Sequence, residues 1–380
     1  MSQKIFADNL ILAAKQHTGL KDFGGDTFKA GLDALIYSLN TDLSLPELSA
    51  QYFQGIILQL LVNRLEVTRL IKTHPEILEE IIEKPVFIIG LPRSGTTILH
   101  TLMALDPCSR FLRNYECSGA ILPPPELIPG AIDPRIEATH KAMEGFLGAA
   151  PQLRGINGLN FMAYGTAECQ NLMAHEFCHL GYSAGSSLFS YGDWLSRTDL
   201  EPAYKTHKLL LQILQWKLPN ERWVLKAPIH LFGLDHLLAT YPDAEIVFTH
   251  RAPYDAIQSG ISMIYHWTEF TTQQADIEAI VNWWPKLMAG ALKKALKVRK
   301  KSDATKFYDA KFTDIAKEPC QVVENIYEHS SVRFNKAHGK RMTVWLRDNP
   351  RSKFGKHDPT REKYGLDPLV VKELYQFYKP

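Results

Sequence analysis

Cysteine is scarce in this chain. Only Cys108, Cys117, Cys169, Cys178 and Cys320 occur, an odd set without a Cys-x-x-Cys pair. That argues against both a disulfide framework and a zinc ribbon. Long apolar runs are also missing. The run Leu10 to Ala14 is too short for the apolar region of a secretory signal. No stretch approaches the roughly 18 apolar residues a membrane-spanning helix requires, so a reducing cytoplasm is the expected location. Nor is there an excess of one charge: 43 Lys and Arg face 41 Asp and Glu, a formal net charge of +2. This speaks against a general polyanion binder, and no nucleic-acid partner is expected. Glycine and proline, 23 and 22 of 380 residues, stand at ordinary levels, which excludes a collagen-like or low-complexity chain. No internal repeat and no Gly/Ser linker interrupts it. What remains is a globular chain, 45% hydrophobic, of a length suited to one large α/β domain or two smaller ones.

Over the first 84 residues apolar side chains recur at spacings of three and four, most clearly from Phe28 to Leu39 and from Gln51 to Lys72. This predicts helices, forming an N-terminal cover over residues 1–84. The pattern ends at His74-Pro75, and a short helix is expected over Glu76 to Glu83. Then the period changes. Pro85-Val86-Phe87-Ile88-Ile89 is a short β-branched run ending at Gly90, as a buried parallel strand should be. Similar runs follow at Arg222 to Lys226, at Glu245 to His250 and at Thr305 to Asp309. Helical patterns separate them at Pro202 to Lys217, Leu231 to Tyr241 and Pro253 to Tyr265. Strands alternating with helices predict an α/β fold: a central parallel sheet with helices on both faces, occupying residues 85–380 as one structural unit with its cover.

The first strand runs into Gly90-Leu91-Pro92-Arg93-Ser94-Gly95-Thr96-Thr97 and then a helix expected over Thr97 to Leu105. Glycines at the first and sixth positions let the backbone turn its N–H groups inward, and the helix N-terminus adds unpaired donors and partial positive charge. Thr96 and Thr97 add hydroxyls. This is a phosphate-binding loop with one telling departure. The ATP-binding version continues Gly-Lys-Ser/Thr, whereas Gly95 is followed by Thr96. The lysine that reaches the β- and γ-phosphates is missing, and the strand Ile246 to Thr249 holds no acid for Mg²⁺. A strand–helix turn without a ligand is the alternative.

At this point the sequence resembles the cytosolic-type sulfotransferases, and more closely a bacterial-type branch of that superfamily. The resemblance implies 3′-phosphoadenosine 5′-phosphosulfate (PAPS) as the sulfuryl donor. Pro92, Arg93, Ser94, Gly95, Thr96 and Thr97 match the loop that grips the 5′-phosphosulfate. Arg251, at the end of a strand, and Ser259, eight residues on, match the element that holds the 3′-phosphate. Leu225-Lys226-Ala227-Pro228-Ile229-His230 matches the strand end of the bacterial branch. Many members carry an acidic pair where this chain has Glu168-Cys169, so the second acid is absent here. A late basic loop closes over the nucleotide in these families, and Lys353 and Lys356 in Arg351 to His357 are the matching candidates.

Sulfuryl transfer, by analogy with phosphoryl transfer, rests mainly on positioning and charge stabilisation, with a base taking the acceptor proton. Lys226 is the candidate for charge on the bridging oxygen. Glu116 is the first candidate base and His230 the second. The acceptor is expected to be a small molecule, lipid-like or carbohydrate, presenting a hydroxyl or an amine. Phe161, Met162, Leu172 and Phe177 suggest a partly apolar pocket. Oligomeric state is left open.

Two further patterns compete. His175-Glu176-Phe177-Cys178-His179 matches His-Glu-x-x-His, which on a helix would place two ligands for Zn²⁺ on one face. No third ligand is evident, no metal is expected, and a helix supporting the acceptor pocket is the preferred reading. Lys286 to Lys301 is a basic amphipathic stretch, either a solvated face or a peripheral membrane contact. The rival functions are a phosphotransferase built on the same loop, a zinc hydrolase, and a nucleotide-binding protein without catalysis.

Overall fold

A computed structural model of the 380-residue chain describes residues 4–122, 132–151, 153, 155, 162–218, 222–350, 353 and 364–379. Five parallel strands form one sheet: β1 (Val86–Gly90), β2 (Ser109–Arg110), β3 (Arg222–Lys226), β4 (Glu245–His250) and β5 (Phe307–Lys311), in the spatial order β2-β3-β1-β4-β5. β1 is the central strand. Val86 lies opposite Val224 of β3 and Glu245 of β4, so the C-terminal ends of three strands finish side by side. In open parallel sheets that edge, where neighbouring connections diverge, is where ligands bind.

The helices that bear on the site and its supports are α1 (Ala7–Thr18), α2 (Phe28–Thr41), α3 (Glu47–Thr73), α4 (Thr96–Met103), α5 (Glu201–Gln215), α6 (Pro253–Thr272), α7 (Ile277–Arg299), α8 (Pro319–His329), α9 (Lys336–Asp348) and α10 (Pro368–Leu374). The alternation of side chains along β1 explains how they are laid down. Phe87 and Ile89 join the larger apolar cluster with α1–α3, α5, α6 and α7. Val86 and Ile88 face the other way, into a second cluster with α4, α8 and α9. All five β1 residues are buried, which is why the strand reads as an unbroken apolar run.

Local chemistry sets the helix ends. α3 stops at His74, whose proline neighbour disfavours helical backbone. α6 opens on Pro253, where the missing N–H costs nothing. In α7 the Asp276 carboxylate accepts from the Ala279 N–H at 3.0 Å. Three expectations shift. The helix expected over Glu76 to Glu83 is a single 3-10 turn, Pro75–Glu79. The last strand starts at Phe307, because Asp303 caps a tight turn over Ala304–Lys306 by accepting from Thr305 N–H. The helix expected from Leu231 begins at Leu234, after a 3-10 turn over Pro228–Phe232. β2, two residues long, carries no pattern of its own and exists through its pairing with Arg222 and Trp223.

Candidate active site

The loop between β1 and α4 needs left-handed backbone at two glycines, with φ of 150° at Gly90 and 89° at Gly95. A Cβ on Gly90 would come within 2.8 Å of the Thr249 carbonyl oxygen, and one on Gly95 within 3.1 Å of Ile315. The first glycine therefore lets β1 and β4 close up, and the second lets the loop turn into the helix. Arg93 is also left-handed, at φ 69° without being glycine, a strained backbone of the kind found at ligand-gripping sites.

Ser94 is fully buried, with its hydroxyl 2.5 Å from the Leu91 carbonyl and 2.6 Å from Thr249 Oγ1. Thr249 Oγ1 in turn lies 3.1 Å from the Ile89 carbonyl. These two hydroxyls tie the loop to the end of β4, so the Ser94 hydroxyl is engaged within the protein. Nothing in the sequence marks Thr249 as a loop anchor, where it is simply the residue two before Arg251.

On the β4 side three expected residues come together. Arg93 Nε donates to Ser259 Oγ at 3.1 Å, and Arg251 Nη1 donates to the Arg93 carbonyl at 2.6 Å. Ser259 is buried on α6. The Arg251 guanidinium lies 4.2 Å above the Phe312 ring, and its buried Nε has no hydrogen-bond partner among the described residues. Burial, and then the neighbouring Arg251 charge, hold the Arg93 guanidinium below its ordinary pKa, and burial does the same to Arg251. Two cations set this close form a locus that a multiply charged anion satisfies.

On the β3 side Lys226 is buried at the strand end. Its ammonium pairs with the Glu168 carboxylate and lies 3.5 Å from Thr97 Oγ1 in the first turn of α4. The other Glu168 oxygen accepts from Gln170 Nε2 at 2.6 Å. The register comes from the next residue, since Cys169 N–H donates to the Lys226 carbonyl at 3.0 Å. Burial pushes the Cys169 thiol well up, which keeps it neutral. Glu168 thus stands beside the lysine although the matching pair is incomplete.

The two expected bases lie elsewhere in the bonding scheme. Glu116 is enclosed by Arg110, whose Nη2 donates at 2.5 Å, by Arg113 Nη1 at 3.3 Å and by the Arg113 backbone N–H at 2.9 Å. Its side chain is 5% exposed, against 21% for Glu168. It holds two guanidiniums and caps the turn Asn114–Cys117. His230 is fully buried in the 3-10 turn after β3, with Nδ1 2.7 Å from the Tyr204 hydroxyl and its ring edge-on to Phe87. Burial, reinforced by His207, drives its pKa well below the usual value. It is a neutral imidazole packed against Phe87, a member of the larger apolar cluster on that face of the sheet.

The His-Glu-x-x-His string does not form one helix. A 3-10 turn over Ala174–Glu176 ends at Phe177, whose φ of 54° reverses the backbone. His175 Nδ1 meets the Leu172 carbonyl at 3.0 Å and Nε2 meets Asn63 at 3.3 Å, while His179 Nδ1 accepts from Gly181 N–H at 2.9 Å. Glu176 is paired with Arg64 at 2.6 Å. The string is a buried structural network against α3. Leu172 and Phe177 are core residues, whereas Met162 is 39% exposed. Phe161 lies outside the described residues. So does Lys356. Lys353 is exposed, with Nζ 2.8 Å from Asn349 Oδ1. Among the described residues no group of three or more His, Cys, Asp or Glu is arranged to hold a metal ion, and no helix is long and apolar enough to cross a membrane.

The profile of the Sulfotransferase family matches residues 85–336. Omega-hydroxy-beta-dihydromenaquinone-9 sulfotransferase Stf3 of Mycobacterium bovis is 24% identical over 307 residues, covering 75% of this chain and 72% of that protein. The crystal structure of sulfotransferase STF9 from Mycobacterium avium superposes with a TM-score of 0.88 at 25% identity, covering 100% of this chain and 97% of that one. That of sulfotransferase STF1 from Mycobacterium tuberculosis H37Rv gives 0.80 at 29% identity, with both chains covered completely.

Proposed function

The chain belongs to the sulfotransferase family, and on that premise we propose that it takes PAPS as donor and sulfates a hydroxyl of a small, lipid-like acceptor. The observation that carries the donor assignment is the meeting of Arg93, Arg251 and Ser259 beside the N-terminus of α4. The residues fit such a ligand. The buried Arg251 Nε, without a partner among the described residues, is a donor open to an acceptor atom, and the Gly90 and Gly95 backbone leaves room where a Cβ would collide. PAPS supplies the sulfuryl group and the leaving phosphate.

The amides of Pro92–Thr97 other than proline's, with Arg93 and the Thr96 and Thr97 hydroxyls, bind the phosphosulfate end. Arg251 and Ser259 bind the 3′-phosphate. Lys226, beside Thr97, neutralises charge on the bridging oxygen. We assign the base to Glu168 in preference to Glu116 or His230. Glu168 is the carboxylate next to Lys226 and is partly exposed, whereas Glu116 is consumed by two arginines and His230 is buried. Lys353 and Lys356 are proposed to close over the nucleotide. The menaquinone-derived substrate in the name of the Stf3 relative supports a lipid-like acceptor.

Calorimetry on Arg251→Ala tests the donor site. Each charge-assisted hydrogen bond to the 3′-phosphate contributes about 1.5–3 kcal/mol. Binding of 3′-phosphoadenosine 5′-phosphate should weaken at least about tenfold, with adenosine 5′-phosphate, which lacks the 3′-phosphate, barely affected. Equal weakening of both ligands would remove Arg251 from the 3′-phosphate. Labelled PAPS offered with hydroxylated lipids and with sugars separates the acceptor classes.

A further inference from the structure

The basic stretch singled out in the sequence is the C-terminal part of α7, and its surroundings give it a meaning the donor site does not use. No carboxylate occurs between Glu278 and Asp303, while Lys286, Lys293, Lys294, Lys297, Arg299, Lys300 and Lys301 do. Lys286, Gly290, Lys293, Lys297 and Lys300 are exposed, at spacings of three and four, so the lysines form one stripe along the helix. Ile280, Trp284, Met288, Leu292 and Ala295 are buried on the opposite face.

Beside this stripe lies an apolar tip. α10 exposes Leu369 at 72% and Val370 at 45%, and Phe377, just beyond it, is exposed at 36%. The segment is fastened alongside α7. Tyr375 Oη donates to the Pro285 carbonyl at 3.1 Å, and Lys293 Nζ lies 5.9 Å from the Phe377 ring centroid. Lys372 and Lys379 add exposed positive charge to the same segment. Glu373 and Asp367 are its exposed acids, and Asp367 is spent in part on capping α10 through the Leu369 N–H at 2.8 Å.

We propose that this face, the lysine stripe of α7 with the Leu369, Val370 and Phe377 tip, rests on an anionic lipid bilayer. Three features select a bilayer over a nucleic acid or an acidic protein. The cations are lysines, which act as point charges. The guanidinium of Arg299, the one fork in the stretch, is already bound on both nitrogens to Asp309 at 2.6 Å, so bidentate phosphate recognition is absent from it. The apolar tip is solvent-exposed next to the charges, the arrangement that inserts at a headgroup boundary. The proposal does not depend on the identity of the acceptor, and its test reads no turnover.

Sedimentation with vesicles of phosphatidylglycerol and phosphatidylcholine is the measurement, using the full chain. The protein should pellet with the mixed vesicles, not with phosphatidylcholine alone, and high salt should release it. Reversing charge in Lys293→Glu/Lys297→Glu/Lys300→Glu should lower the partition coefficient about a hundredfold or more. Leu369→Ser/Val370→Ser, which leaves the charge unchanged, should lower it roughly tenfold. Both variants should keep the parent circular dichroism spectrum and melting temperature. No binding to anionic vesicles at low salt would overturn the proposal, as would binding that neither variant alters. Retention on heparin without vesicle binding, indifferent to Leu369→Ser/Val370→Ser, would assign the face to a soluble polyanion instead.

Discussion

Exchanging each of two ion-paired acids, Glu168 and Glu116, for its amide separates catalytic from structural carboxylates in this fold. Glu168 pairs with Lys226, whose side chain is 2% exposed, and Glu116 pairs with Arg110, whose side chain is 7% exposed. Removing the acid from a buried ion pair costs about 3–5 kcal/mol, because the cation left behind is uncompensated. With an unfolding entropy of about 2.1 cal/mol/K per residue, a chain of this size loses 1 kcal/mol for roughly each 1.2 °C of Tm, so either amide should melt about 4–6 °C lower. Stability therefore does not distinguish them, and turnover does. Glu168→Gln keeps the hydrogen bonds' shape but cannot accept the acceptor proton, so kcat should fall about 10²–10⁴-fold. Glu116→Gln should stay within a few-fold of the parent when assayed well below its melting transition. Affinity for 3′-phosphoadenosine 5′-phosphate, measured alongside, should change little in either variant. The reasoning fails if Glu168→Gln turns over normally while a folded, nucleotide-binding Glu116→Gln is inactive.

Three further outcomes follow from the same geometry. Because the ring nitrogens of His175 and the Glu176 carboxylate are engaged within the protein, turnover should survive EDTA, and loss of activity restored by Zn²⁺ would contradict this. Gly95→Ala places a Cβ on a left-handed residue 3.1 Å from Ile315. It should cost about 1–2 kcal/mol and abolish detectable nucleotide binding in calorimetry, and wild-type affinity would refute the loop's role. His100 and His207 are held by burial at a pKa of about 3 and His175 and His179 at about 4, with His230 also strongly lowered. The folded state binds fewer protons than the unfolded one below the ordinary histidine pKa. Their contribution is therefore complete above about pH 6.5 and is lost as pH falls toward the folded values, each by up to about 1.4 kcal/mol per pH unit. Urea midpoints should drop steeply from pH 7 to pH 5, and a flat profile would show these histidines titrating normally.

The legible parts of this molecule are the local ones. β1, β3 and β4 announce themselves because strands buried on both faces become short apolar runs, and the loop from Gly90 to Thr97 is contiguous, so its glycines and hydroxyls can be read in order. Arg251 and Ser259 share one strand–helix unit. β2 escaped notice because two residues carry no period. The surroundings of the two candidate bases are hidden for a related reason. Nothing about Glu116 in the sequence foretells that Arg110 folds back onto it, and the burial of His230 depends on Tyr204, which arrives from α5. Glu168 reaches Lys226 across 58 residues through one backbone hydrogen bond at Cys169, a register that no spacing rule expresses.

The central position of β1 also governs how the molecule comes into being. The loop residues find their partners late: Ser94 bonds Thr249, 155 residues downstream, and Arg93 bonds Ser259, 166 downstream. At ribosomal rates of about 5–20 residues per second, roughly 10–30 s pass between the emergence of one partner and the other. For most of that interval, until β3 begins at Arg222, the Val86–Ile89 run has neither neighbouring strand to pair with. Non-local parallel pairing is slow in itself, so nascent β1 is an apolar run left open to aggregation until its neighbours arrive.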